Sequence, residues 1–145
     1  MAHINQLNKE RQLFIEEFGL FFNEVGLPRS VGRVLGLLLI CEPPHQSAEQ
    51  IQDTLQLSSG SVSSAMSVLN RMGIVKRKTK TGSRRLFYEL DSDCWTKIIQ
   101  IRLLQIKRGQ QIAENGLKLS DNNTRLLGMR DLYVKFGKLF NQMDA

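Results

Sequence analysis

The stretch SSGSVSSAMSVLNRMGIVKRKTKTGSRR, residues 58–85, decides how this chain is read, because its physical character changes twice along its length. At about 100° per residue, Gly60 to Met72 form a helix with Val62, Ala65, Met66, Leu69 and Met72 on one side. Gly60, Ser63, Ser64, Ser67 and Arg71 lie opposite them. A merely solvated face would favour the better helix formers Glu, Lys and Gln, so a face of glycine and serines suits close approach to something polar. Ser58 and Ser59 are placed to cap this helix, and Gly73 to close it.

From Arg71 to Arg85 seven residues are basic (Arg71, Lys76, Arg77, Lys78, Lys80, Arg84, Arg85) and none is acidic. The chain has 20 basic and 14 acidic residues; without these seven, 13 face 14 and the net charge of +6 disappears. A local cationic patch on a balanced background is the footprint of a nucleic-acid binder, since neutralising phosphates releases condensed counterions. Ile74-Val75 opens a strand, Lys80-Thr81-Gly82 supplies turn chemistry, and Leu86 to Leu90 returns as a second strand. That hairpin reads as a wing. Its Arg77, Lys78, Lys80, Arg84 and Arg85 are candidates for phosphate and minor-groove contact, with affinity coming mainly from here. Ser58, Ser59, Gly60, Ser61, Ser63, Ser64, Ser67 and Arg71 are the candidates on the helix, whose N-terminus also offers free amides to a phosphate.

Upstream, Ser47 with Gln50 three residues on forms a capping box for a short helix carrying Ala48, Ile51 and Leu55, so the pair of helices predicts a helix-turn-helix. Before it, Arg29 to about Cys41 is a helix opened by Pro28 and stopped by Glu42-Pro43-Pro44. Gly32 and Gly36 fall on one side of that helix. Each costs roughly 1 kcal/mol against alanine, which predicts a close helix–helix approach there. Ile4, Leu7, Phe14, Phe18, Phe21 and Val25 draw one stripe along a first helix spanning Ile4 to Val25, widened by Ile15 and Phe22. Downstream, Asp93 to Gln111 is expected to be helical, with a break from Gly116 to Asn123. A last helix carries Leu126, Met129, Tyr133, Phe136, Phe140 and Met143 at spacings of three and four.

Composition removes several classes. With 41% apolar residues and 23% charged ones the chain folds around a core, and at 145 residues it holds one domain plus appended helices. Residues 1–10 lack a signal-peptide pattern and the longest apolar run, Val34 to Cys41, is too short to span a bilayer, so a cytoplasmic, membrane-free protein is expected. Cys41 and Cys94 match no metal-ligand spacing; Cys41 lacks a neighbouring cation to favour a thiolate and Cys94 stands beside Asp93, whose charge works against ionisation, so they are expected to be idle thiols. His3 and His45 stand alone. No metal cluster, cofactor loop or catalytic triad stands out, which argues against an enzyme.

The run Gly26-Leu27-Pro28-Arg29-Ser30-Val31-Gly32-Arg33-Val34-Leu35-Gly36, then Pro43-Pro44, Ser47, Leu57 to Ser63, Gly73-Ile74-Val75 and Arg84-Arg85-Leu86-Phe87-Tyr88, resembles the GbsR-like branch of the MarR-type winged-helix regulators. The likeness covers about residues 10–92. Members often carry Arg where this chain has Ser59. What the resemblance implies is a mainly α protein, a winged helix-turn-helix with N- and C-terminal dimerisation helices: residues 1–28, 29–92 and 93–145 in turn. It implies a homodimeric DNA-binding transcriptional regulator, commonly a ligand-responsive repressor, with Arg29, Arg33 and Ser47 joining the DNA-contacting set. Phe14, Phe18, Phe21, Leu126, Met129, Tyr133, Phe136 and Phe140 would form the dimer interface. Some members answer to choline-like ligands; Tyr88, Trp95 and Tyr133 are the aromatic residues from which a cage for a quaternary ammonium would be built. The competing reading is a winged-helix adaptor that binds protein rather than DNA, and it calls for a neutral or mixed wing.

Overall fold

The computed structural model describes residues 8–143, so the expected stripe positions Ile4 and Leu7, together with His3, lie outside the described residues. Among the described residues six helices and three short strands follow one another as α1 (Lys9–Glu24), α2 (Arg29–Ile40), β1 (His45–Ser47), α3 (Ala48–Leu55), α4 (Ser59–Arg71), β2 (Val75–Thr79), β3 (Leu86–Leu90), α5 (Cys94–Leu119) and α6 (Thr124–Met143). The chain divides into two compact units, one ending at Cys94 and one beginning at Trp95. None of the described helices is long and apolar enough to cross a membrane.

The first unit is a winged helix-turn-helix with α1 packed along α2. Its core is built from Val31, Val34, Leu35, Leu37 and Leu38 of α2, Ile51 and Leu55 of α3, Val62, Ala65, Met66 and Leu69 of α4, and Ile74, Val75 and Phe87 of the hairpin. The α1–α2 contact is the close approach that the glycine pair predicts. A Cβ on Gly32 would collide with the Phe18 carbonyl and lie 2.9 Å from the Gly19 Cα; one on Gly36 would lie 3.0 Å from the Phe18 Cβ. Ile15, Gly19 and Phe22 therefore form the buried line of α1, with Phe14 and Phe18 half-buried and Phe21 and Val25 exposed. Asn8 caps α1, its Oδ1 accepting from the Arg11 amide at 2.8 Å, and the helix opens at Lys9.

The local signals of the helix-turn-helix are all realised. The Gln50 amide donates to Ser47 Oγ at 3.2 Å while Gln50 Oε1 accepts from the Ser47 amide at 2.8 Å, closing the capping box of α3. Gln56 ends α3 in the left-handed region at φ 53°. The Ser61 amide donates to Ser58 Oγ at 3.1 Å and starts α4, and Gly73 at φ 72° turns the chain out of it.

One strand is unforeseen. Residues 45–47 form β1, and the sheet has the order β1-β3-β2, antiparallel throughout, with His45 opposite Glu89 and Ser47 opposite Phe87. On the other side of β3, Lys76 faces Glu89, Arg77 faces Tyr88 and Lys78 faces Phe87.

In the second unit α5 runs through to Leu119, past the break expected at Gly116. Gly116 is a seat, not a stop: a Cβ there would lie 2.9 Å from Leu126 Cδ1, and one on Gly109 would lie 2.5 Å from Tyr133 Cε1. The turn falls instead between Leu119 and Thr124, with Asn122 at φ 60° and Asn123 Oδ1 accepting from the amides of Arg125 and Leu126 at 3.0 and 3.3 Å to cap α6.

Candidate nucleic-acid interface

On α4, Val62, Ala65, Met66 and Leu69 are buried, while Ser59, Gly60, Ser63, Ser64, Ser67 and Arg71 are exposed. The small polar face is thus presented to solvent along the whole helix. Ser58 and Ser61 are tied to one another through their hydroxyls at 3.0 Å and serve the helix start. Beside α4 runs a groove of about 550 Å³, bordered by Ser63, Ser67 and Arg71 of α4, Gln52 of α3, and Arg77 and Tyr88 of the wing.

Strand alternation sorts the wing cations onto two faces. Arg77 shares the groove face with its cross-strand partner Tyr88. Lys76 and Lys78 share the other face, where both Nζ atoms reach the Glu89 carboxylate at 3.6 Å. Lys80 Nζ stands 5.0 Å from the centroid of the Phe87 ring, a cation–π arrangement. His45 meets the same ring edge-on at 5.2 Å. Its Nε2 is buried without a hydrogen-bond partner, and burial, reinforced by Lys80 and Lys78, holds its pKa below the ordinary value. Glu89 opposes that shift. Among the described residues no acidic group pairs with Arg71, Arg77, Arg84 or Arg85, so these four remain available cations.

Three residues grouped with the DNA-contacting set by sequence are engaged elsewhere. Ser47 is fully buried, because the hydroxyl that caps α3 belongs to the short strand β1 paired beside β3, and it presents no surface to a duplex. Arg33 donates from Nε to Glu16 Oε1 at 2.8 Å and from Nη2 to the Leu55 carbonyl at 3.0 Å. Arg29 Nη2 reaches Glu16 Oε2 at 3.3 Å. These arginines join α2 to α1 and to the end of α3. Glu16, the acid between them, carries no sequence signal that pairs it with either arginine.

Of the aromatic residues considered for a cage, Tyr88 borders the α4 groove and Tyr133 rests on Gly109. Trp95 is 44% exposed. Of the residues considered for dimerisation, Leu126 and Tyr133 seat on the α5 glycines, while Phe21 and Phe136 are exposed together with Leu13 and Leu20 on α1 and Leu132 and Leu139 on α6. Cys94 is buried, and burial pushes the Cys41 thiol up to about 11. No group of three or more His, Cys, Asp or Glu among the described residues could hold a metal ion.

A helix-turn-helix with an arginine-bearing wing and a serine-lined second helix defines the class: a winged helix-turn-helix protein. No family model matches the chain. It is 32% identical over 136 residues to the HTH-type transcriptional regulator MmpR5 of Mycobacterium tuberculosis (strain ATCC 25618 / H37Rv), an alignment covering 89% of this chain and 82% of that protein. The crystal structure of a transcriptional regulator superposes with a TM-score of 0.76 at 29% identity, over 92% of this chain and 95% of the other. A looser likeness, at 16% identity and a TM-score of 0.47 over 81% of this chain and 90% of the other, is to MepR, a transcription regulator of the Staphylococcus aureus multidrug efflux pump MepA. The chain belongs to the MarR-type HTH transcriptional regulators.

Proposed function

We propose that this regulator binds double-stranded DNA sequence-specifically as a homodimer and acts as a ligand-responsive repressor of the GbsR-like branch. The observation that carries the reading is the exposed glycine and serine face of α4, bordered by Arg71 and Arg77, on a domain whose wing also carries Arg84 and Arg85, all four without an acidic partner among the described residues. Small hydroxyl side chains let a helix sit deep in a major groove, and the wing arginines supply the counterion-releasing charge. An adaptor calls for a neutral or mixed wing, and this wing is basic.

Residues 29–92 are the DNA-binding part of this reading, and residues 1–28 and 93–145 are its dimerisation parts. Support for the dimer comes from the apolar side chains left exposed on both units: Leu20 and Phe21 on α1, and Leu132, Phe136 and Leu139 on α6. Such strips on a lone chain favour association. The ligand response rests on the family resemblance alone, and a DNA partner implies a cytoplasmic location.

Selection of bound fragments from sheared genomic DNA by the purified protein tests the proposal. The expected result is enrichment of a pseudo-palindromic site with half-sites about one helical turn, roughly 34 Å, apart. Retention of no duplex at low salt would turn the reading toward the adaptor.

A further inference from the structure

We propose that the Glu49 carboxylate is an internal competitor for phosphate at the wing arginines and so attenuates the affinity of the wing for DNA. This rests on the DNA-binding reading above. Helix α3 contains Glu49 and Asp53 and neither Lys nor Arg, so the first helix of the helix-turn-helix is acidic on a surface whose neighbours are basic. Glu49, in the first turn, is exposed and lines a cleft of about 410 Å³ together with Ala48, Arg84, Arg85, Leu86 and Tyr88. Ala48 and Tyr88 also border the α4 groove, so the cleft opens directly onto the surface offered to DNA.

Arg84 and Arg85 share this cleft with Glu49 without being locked to it, since no ion pair within 4.0 Å joins them. An unlocked carboxylate in the same cleft as two guanidinium groups partly neutralises them, and a phosphate must compete with it for their charge. Asp53 lies one helical turn further along α3 and is also exposed, yet it does not line the cleft. It is a built-in control for charge without position.

The test is fluorescence anisotropy with a labelled random-sequence duplex at low salt, using the full chain. Glu49→Gln should tighten binding about two- to fivefold, the range of exposed ion pairs, and Glu49→Asp should behave like the parent. Asp53→Asn should change the affinity less. In an Arg84→Ala/Arg85→Ala background the gain from Glu49→Gln should vanish, because the groups competed for are gone. An equal gain from Asp53→Asn, or a gain that persists without the arginines, would reduce Glu49 to general charge and overturn the proposal. No change on Glu49→Gln in a protein that binds the duplex overturns it alone; a parent that binds no duplex takes the DNA reading down with it.

Discussion

Arg33 of α2 donates from Nε to Glu16 Oε1 of α1 at 2.8 Å, and its second donation, to the Leu55 carbonyl, reaches the C-terminal end of α3. One half-buried guanidinium thereby joins three helices. Glu16 is 41% exposed, so solvent screens the ion pair and the carbonyl bond supplies much of the stabilisation. Arg33→Ala should lower the unfolding free energy by about 1–2 kcal/mol, read from urea denaturation. The salt dependence of DNA binding should stay at the parent value, and a flatter slope would return Arg33 to the interface.

The wing and α4 should fail differently. Arg84→Ala/Arg85→Ala should weaken binding to every duplex and flatten the plot of log affinity against log salt, since phosphate contacts carry the counterion term. Ser63→Ala or Ser67→Ala should instead change discrimination between a selected and a random duplex by about 1–3 kcal/mol per base edge contacted. Anisotropy on both duplexes at several salt concentrations separates the two, and equal slopes for the arginine variant and the parent would remove the wing from the interface.

Phe136 is 45% exposed on α6, between the exposed Leu132 and Leu139. Phe136→Asp should yield monomer or insoluble protein, measured by sedimentation equilibrium beside the unmodified chain. A well-folded monomer for the unmodified chain would contradict the dimer.

His45 gives stability a pH dependence whose sign is fixed by its surroundings. Its folded pKa lies below the ordinary 6.5, so the unfolded chain takes up the proton first as pH falls. The contribution is fully present above that ordinary value and is lost as pH drops from it toward the folded one. The urea midpoint should therefore fall between pH 7.5 and about pH 5.5, and His45→Gln should reduce the fall. An identical fall in both proteins would mean that carboxylates alone produce it.

Cys41 should be unreactive, because burial raises its thiol to about 11 and leaves little thiolate near neutral pH. Alkylation by iodoacetamide at pH 7.5 should be slow in the folded protein and fast in urea. Rapid labelling of the native protein would refute this.

How much the sequence reveals follows from the range of each interaction. The capping box of Ser47 and Gln50, the Ser58 cap and the Gly73 turn each involve residues three or so apart, and all are legible. β1 is not, since three residues have no period and exist as a strand only through pairing with β3. Gly116 resembles a helix stop until Leu126 is seated against it. The small polar face of α4 is legible from its helical period and is exposed, whereas the burial of Ser47 and the partnership of Arg33 with Glu16 are set by β3 and α1, distant in sequence. The cations of the wing were readable as a count; their division into an Arg77 face and a Glu89-bridged lysine face needed the strand register.

The notch that Gly32 cuts for the Phe18 carbonyl has a consequence for genetics. A side chain of any size at position 32 forces α1 off α2, so nearly every missense change there should register as loss of regulation in an unbiased screen. Such a cluster of hits would look like a ligand or operator contact on a linear map. It would instead mark a position closed to variation by backbone geometry, and Gly32→Ala, with the smallest possible addition, should already show the defect as reduced protein abundance.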